Sequence, residues 1–168
     1  RSSLVEAALR LSSEHGFAAL SLRQVTREAG IAPNSFYRHF RDMDELGLAL
    51  IDEVGTALRQ FMREARIRVA GEGSVIQISV ETFMEYLREN PNHFRLLLGE
   101  RSGSSQAFRE ALYRELNRFV EDIVIFLQEE SERANRPLAY IPELAEAMVT
   151  VVFNVGAEAL DLPLHRRE

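Results

Sequence analysis

The sequence predicts an all-α protein, and three observations carry that expectation. Apolar residues recur at helical spacing nearly throughout, no stretch alternates as a half-buried strand would, and caps and glycines cut the pattern into helices. The first helix runs from about Ser3 to His15, with Leu4, Ala7, Ala8 and Leu11 on one face and Gly16 at its end. Ser21, with Gln24 three residues on, forms a capping box for a two-turn helix whose stripe Leu22, Val25 and Ala29 stops at Gly30. Pro33 takes a first-turn position of a third short helix that places Phe36 and Phe40 on one face.

A long helix follows from about Met43 to Arg68, where Asp42, Asp44 and Glu45 suit the positive end of the dipole and Gly71 and Gly73 end the pattern. Ser74 opens the next. Its stripe of Ile76, Val80, Phe83, Met84 and Leu87 is widened by Val75, Ser79 and Tyr86, which predicts burial on nearly every side. Asn90 and Pro91 are a cap and first-turn pair for a helix with Phe94, Leu97 and Leu98, which breaks at Ser102, Gly103 and Ser104. Phe108, Leu112, Leu116, Phe119, Ile123 and Leu127 then mark one long face that ends near Arg136 and Pro137. The last helix starts at Pro142, and its run from Leu144 to Leu160 mixes Val151, Val152 and Val155 with the small residues Ala147, Gly156 and Ala159.

The chain has 168 residues, 46% hydrophobic and 27% charged, enough to bury a real core. It has no cysteine, which removes disulfides, thiol catalysis and cysteine zinc sites. No apolar run is long enough to span a bilayer and no signal peptide is visible, so a soluble cytoplasmic protein without membrane partners is expected. Because the chain opens on Arg1 and stops at Glu168 just after a helical pattern, residues are expected to be missing at both ends. The net charge is −6, yet residues 1 to 41 hold six Arg against three Glu, or +3, which leaves −9 for the remainder. All 20 basic residues are Arg, a planar fork suited to phosphate or carboxylate, although a GC-rich genome gives the same bias.

From Ser21 to Phe40 the pattern is a capped short helix, a tight turn at Gly30 and a second short helix, the sequence form of a helix-turn-helix. Between Phe36 and Phe40 the second helix exposes Asn34, Ser35, Tyr37, Arg38 and His39, donors with one cation and no acid. Asn and Arg suit base edges, while Tyr, Ser and His suit phosphate oxygens. A solvated helix in an ordinary three-helix corner is the competing reading of the same residues.

The segment SLRQVTREAGIAPNSFYRHFRDMDEL resembles the DNA-binding segment of the TetR family of bacterial repressors. Ala29 and Gly30 stand at the family's turn, Tyr37, His39 and Phe40 at its Y-x-H-F pattern, and Glu45 and Leu46 at the acidic helix start. The resemblance implies a helix-turn-helix head over residues 1–45 and a helical ligand-binding and dimerisation domain over residues 46–168. It also implies a homodimer on a palindromic double-stranded DNA operator, with Ser21, Arg23, Asn34, Ser35, Tyr37, Arg38, His39 and Arg41 as DNA-binding residues. Ala32 and Met43 depart from the pattern, since members often carry Ser or Thr and a phosphate-touching Lys there, so no contact is carried over at Met43. Within the family, REAGIAPNSFYRHFRDMDELGL, NPNHFRLLLGERSG and EAMVTVVFNVGAEALD look like the FabR-type and DesT-type repressors of unsaturated fatty-acid synthesis, which implies an acyl-CoA or acyl-ACP effector. That group usually continues into another C-terminal helix, so the dimer surface is expected to be incomplete.

Candidates for an acyl channel are Phe83, Leu87, Phe94, Leu97, Phe108, Leu112 and Phe153, with Arg95 or Arg101 meeting the carrier's phosphates; a plain packed core is the alternative. Ala147, Val151, Val155 and Ala159 form the expected dimer face. No cofactor is expected. His15, His39, His93 and His165 are isolated, without the Glu-x-x-His spacing of a di-iron bundle, so neither metal nor metalloenzyme is predicted. Gly71 to Ser74 lacks a dinucleotide fingerprint, and Ser102 to Ser105 lacks the His and acid of a nucleophile site. Two readings remain beside the acyl-sensing repressor: a TetR-like drug sensor controlling efflux, and a helical lipid carrier that does not bind DNA.

Overall fold

The computed structural model describes residues 1–68, 75–99 and 106–161. Among these the chain is helical without strands: α1 (Ser2–His15), a 3-10 turn (Phe17–Ala19), α2 (Leu22–Glu28), α3 (Pro33–Phe36), α4 (Met43–Arg68), α5 (Val75–Glu89), α6 (Pro91–Gly99), α7 (Gln106–Arg133) and α8 (Ile141–Asp161). A helix-turn-helix head of α1 to α3 is followed by a bundle built on α4. The boundary expected at residue 45 falls inside α4, which is continuous through it.

Each short element has a local cause. Ser21 and Gln24 cap reciprocally, the Ser21 N–H donating to Gln24 Oε1 at 2.9 Å and the Gln24 N–H to Ser21 Oγ at 3.4 Å. Asp42 caps the start of α4, the Glu45 N–H donating to Asp42 Oδ1 at 2.8 Å, while the Glu45 carboxylate reaches back to the Arg41 N–H, which donates to Oε2 at 2.6 Å. The Glu45 N–H, and then the Arg41 guanidinium, hold the Asp42 carboxyl below its ordinary range. The third helix is shorter than the spacing of Phe36 and Phe40 predicted. It ends at Phe36, and residues 37–39 tighten into turns through Arg38 N–H to Ser35 O (3.3 Å) and His39 N–H to Phe36 O (2.9 Å). Phe40 still returns to the buried side, because its N–H reaches Phe36 O at 3.0 Å.

The bundle is layered around α4, which packs against α5 on one side and α7 on the other, while α8 lies against α7, α6 and α5. The predicted all-round burial of α5 is not found. Ser79, Thr82, Phe83, Tyr86 and Leu87 face inward, but Gln77, Glu81, Glu85 and Arg88 are exposed and Val80 is partly so, because α4, α6 and α8 cover only one side. On α6 the buried set includes Leu96 beside the expected Phe94 and Leu97. The Asn90 side chain caps backward, its Nδ2 donating to Tyr86 O at 3.2 Å. A ring cluster joins four helices, α5 to α8: Phe83 meets Phe94 at 4.7 Å and Phe153 at 5.4 Å, and Phe119 meets Phe153 at 5.6 Å.

Two positions generate tests of this packing. A Cβ on Gly55 would overlap the buried Glu115 carboxylate, which is held by Arg59 and Arg118 and cannot swing away without leaving a guanidinium unpaired. Gly55→Ala gains helix propensity of about 1 kcal/mol, but disturbing a buried ion pair costs about 3–5 kcal/mol. A net loss of about 2–4 kcal/mol in urea unfolding is expected, and an unchanged or raised stability would refute the contact. The second is His93, whose Nδ1 lies 2.7 Å from Tyr86 Oη. Burial lowers the His93 pKa from its ordinary 6.5 and pushes Tyr86 up to about 12, so both are neutral near pH 7. The unfolded chain then takes up His93's proton first as pH falls below 6.5. The His93 contribution is therefore full above that pH and is lost toward the lower folded value. Melting temperature should fall between pH 7 and pH 5.5, and less steeply in His93→Gln; parallel slopes would remove His93 from the effect.

Candidate DNA-binding face and effector cavity

The turn between α2 and α3 is made by Gly30 at φ 68, a conformation that suits a residue without Cβ. The Ile31 N–H donates to Thr26 O at 3.0 Å, and the buried Thr26 hydroxyl donates to Leu22 O at 2.9 Å, tying the turn to α2. Phe36 and Phe40 are buried as a ring pair 5.9 Å apart. Around these anchors Asn34, Tyr37, Arg38 and His39 are exposed and Ser35 is half-buried. Tyr37 is 64% exposed even though its ring meets Phe36 edge-on at 5.6 Å, so its hydroxyl end is available to solvent.

The other expected DNA contacts are placed less freely. The Ser21 hydroxyl is engaged with Gln24 in the cap of α2. Arg41 Nε donates to Asp42 Oδ2 at 3.0 Å, and Asp42 with Glu45 raises the Arg41 pKa, so an acid already answers this cation. Arg23 and Arg38 are exposed without an ion pair to any described residue. Arg10, which drew no attention in the sequence, pairs with Glu28 at 3.1 Å and neutralises an acid beside the face.

The bundle contains an apolar cavity of about 270 Å³, lined by Met62 and Arg66 of α4, Ser79, Val80 and Phe83 of α5, Phe119 and Ile123 of α7, and Ala147, Met148, Val149, Val151, Val152 and Phe153 of α8. Of the residues expected to line an acyl channel, Phe83 and Phe153 line this cavity. Leu87, Phe94, Leu97 and Leu112 are buried packing residues that are not in its wall. Phe108 lies elsewhere, stacked on Phe17 at 5.3 Å where α7 meets the head. They satisfy the same apolar spacing as lining residues, but their helix faces meet other helices directly. Arg95 is exposed on α6 and is not in the cavity wall. Arg101, His165, Gly71 to Ser74 and Ser102 to Ser105 lie outside the described residues.

Met62, Ile123 and Arg66 in the wall were missed. An arginine four residues after Met62, within the apolar stripe Leu58, Met62 and Ala65, was the available signal. Arg66 is 9% exposed, its guanidinium lies over the Phe126 ring at 5.0 Å, and its Nε has no hydrogen-bond partner. Burial lowers its pKa, opposed by Asp122 and reinforced by Arg63.

The expected dimer face divides. Ala147, Val151 and Val155 are exposed on α8, whereas Ala159 is buried within the protomer. At about 100° per residue, a stripe at i+4 spacing rotates by roughly 120° over twelve residues, which carries Ala159 from the outside to the inside. Gly156 also faces inward, where a Cβ would meet Leu87 Cδ1 and Phe83 Cε1 at 3.0 Å. Among the described residues no cluster of three or more His, Asp or Glu is arranged for a metal, and no helix is long and apolar enough to cross a membrane.

Comparison with known proteins agrees with this geometry. Over 95–98% of this chain the fold matches three solved proteins. A Clostridium perfringens fatty acid metabolism regulator has a TM-score of 0.74 at 16% identity, covering 98% of this chain and 91% of that one. FadR from Bacillus subtilis, solved in complex with stearoyl-CoA, has a TM-score of 0.73 at 15% identity, covering 95% and 84%. The multidrug binding protein EbrR, complexed with imidazole, has a TM-score of 0.71 at 20% identity, covering 96% and 86%. Residues 4–50 match the profile of the bacterial regulatory proteins of the tetR family, and the rest of the chain has the fold of those solved neighbours.

Proposed function

We propose that the chain is a tetR-family transcriptional repressor that binds a palindromic operator as a homodimer and changes DNA affinity when an apolar ligand enters the bundle cavity. Residues 1–45 act as the head and residues 46–168 as the effector and dimer domain. The observation that carries the reading is the donor surface Asn34, Tyr37, Arg38 and His39, held outward by the buried pair Phe36 and Phe40 in a segment matching the family head. In such a dimer each α3 segment enters a major groove, with half-sites about 34 Å apart or a multiple. Ala147, Val151 and Val155, an exposed small and β-branched stripe, are the contribution of α8 to the dimer surface.

For the effector we propose the acyl chain of a long-chain acyl thioester, acyl-CoA or acyl-ACP, in control of unsaturated fatty-acid synthesis. The apolar wall around Phe83, Phe119 and Phe153 supports it, as do fold neighbours named as a fatty acid metabolism regulator and as a stearoyl-CoA complex. A cavity of about 270 Å³ sits at the small end of ligand pockets, so a long chain must spread the α5 and α8 wall or emerge at Val80 and Val151. That spreading supplies the unequal binding to two arrangements that a switch requires, because α4 lines the cavity at Met62 and begins at the head. Efflux control by a drug-like ligand is the second reading, favoured by the cavity's size and by the multidrug-binding neighbour.

Arg38→Ala should weaken operator binding by about 1–3 kcal/mol at matched salt if it reads a base, and Tyr37→Phe should weaken it with little change in melting temperature. Unchanged affinity in both variants by gel shift would leave the exposed face as ordinary surface. Matched saturated and unsaturated acyl-CoAs titrated into the operator-binding assay should change affinity unequally, since a cis double bond bends the tail. If neither changes it while a drug-like ligand does, efflux control replaces fatty-acid control.

A further inference from the structure

The cavity wall holds two polar groups that the acyl-chain reading leaves unused. Arg66 and Ser79 are 9% and 6% exposed, both line the cavity, and Arg66 Nε and Ser79 Oγ have no hydrogen-bond partner. The rest of the wall is apolar. A buried donor without an acceptor is costly, and a buried cation more so, unless a ligand completes it.

The nearby acid does not hydrogen-bond Arg66. Asp122 Oδ1 accepts from the exposed Arg63 Nη2 at 2.6 Å, and its Oδ2 is buried without a partner and makes no ion pair with Arg66, so Asp122 answers the Arg66 cation only at a distance. Phe126 covers one face of the Arg66 plane, and the Nε–H on its edge has no acceptor. We propose that this cavity, besides taking acyl thioesters, binds free carboxylic acids with a single apolar body, the carboxylate received by the Arg66 guanidinium and the Ser79 hydroxyl and the body lying against Phe83, Phe119 and Phe153.

The chemistry favours a monoanionic acid. A thioester carbonyl is a neutral acceptor that leaves the Arg66 cation without a direct ion pair, and a phosphate dianion would need more than one cation in a wall that is otherwise apolar. A carboxylate matches the guanidinium fork in both charge and geometry. The proposal rests on the cavity being the effector site, and operator binding is measured separately so that the two can fail independently.

Dodecanoate, 1-dodecanol and dodecanoyl-CoA are titrated into the purified full chain by calorimetry, with Arg66→Met and Ser79→Ala as variants. Methionine keeps an apolar stem in the wall and removes a buried charge, so the variant is expected to fold, which circular dichroism checks. The expected result is dodecanoate binding about tenfold or more tighter than dodecanol, a preference that Arg66→Met abolishes and that Ser79→Ala reduces. Equal affinity for acid and alcohol, or a preference that survives in Arg66→Met, overturns the carboxylate site. Arg66-dependent dodecanoate binding with no effect on operator affinity keeps the site and overturns the effector reading. Dodecanoyl-CoA that shifts operator affinity while dodecanoate does not bind does the reverse.

Discussion

Glu115, 4% exposed on α7, lies against Gly55 of α4 and holds Arg59 across the helix contact and Arg118 on its own helix. Because Gly55 has no side chain, the two helices approach until the carboxylate sits against backbone. The ladder continues on either side, with Arg118 reaching Asp52 at 3.2 Å and Arg63 reaching Asp122 at 2.6 Å. Buried ion pairs add little net stability over apolar packing, but they penalise every other register, because a shift of one turn strands a charge. The register of α4 on α7 is therefore fixed, and everything attached to α4 inherits it.

What α4 carries is the head at one end and the cavity wall at the other. At the head end the constraint is steric: Phe17 of the 3-10 turn and Phe108 of α7 stack over Gly47, where a Cβ would lie 2.6 Å from Phe17 Cε1 and 2.8 Å from Phe108 Cε2. At the other end Met62 and Arg66 reach the cavity. A rigid helix clamped ionically midway and sterically at the head has few ways to respond to a change at the cavity other than moving as a body. The same geometry explains how an acidic chain carries a local face of exposed arginines. The excess of arginine lies in the first 41 residues, Asp42 answers Arg41 in capping α4, and Arg23 and Arg38 remain exposed away from the acidic bundle.

Local signals in the sequence determined the helices and the head. The Ser21 and Gln24 cap, Gly30 at positive φ, Pro33 in a first turn and the Phe36 and Phe40 spacing each act within a few residues, so chemistry along the chain suffices to read them. The tertiary structure decided which apolar faces became wall and which became packing. Phe83 and Leu87 stand one turn apart on the same face of α5, yet only Phe83 lines the cavity, because α6 and α8 close over Leu87 first. It also decided that Ala159 turns inward while Val151 and Val155 stay out, since helical drift matters only once a neighbour fixes which side is inside. Arg66 is the sharpest case: an arginine in a charged helix reads as surface, and only the approach of α5, α7 and α8 buries it without a hydrogen-bonding partner, because burial depends on what packs against a residue and not on the residue itself.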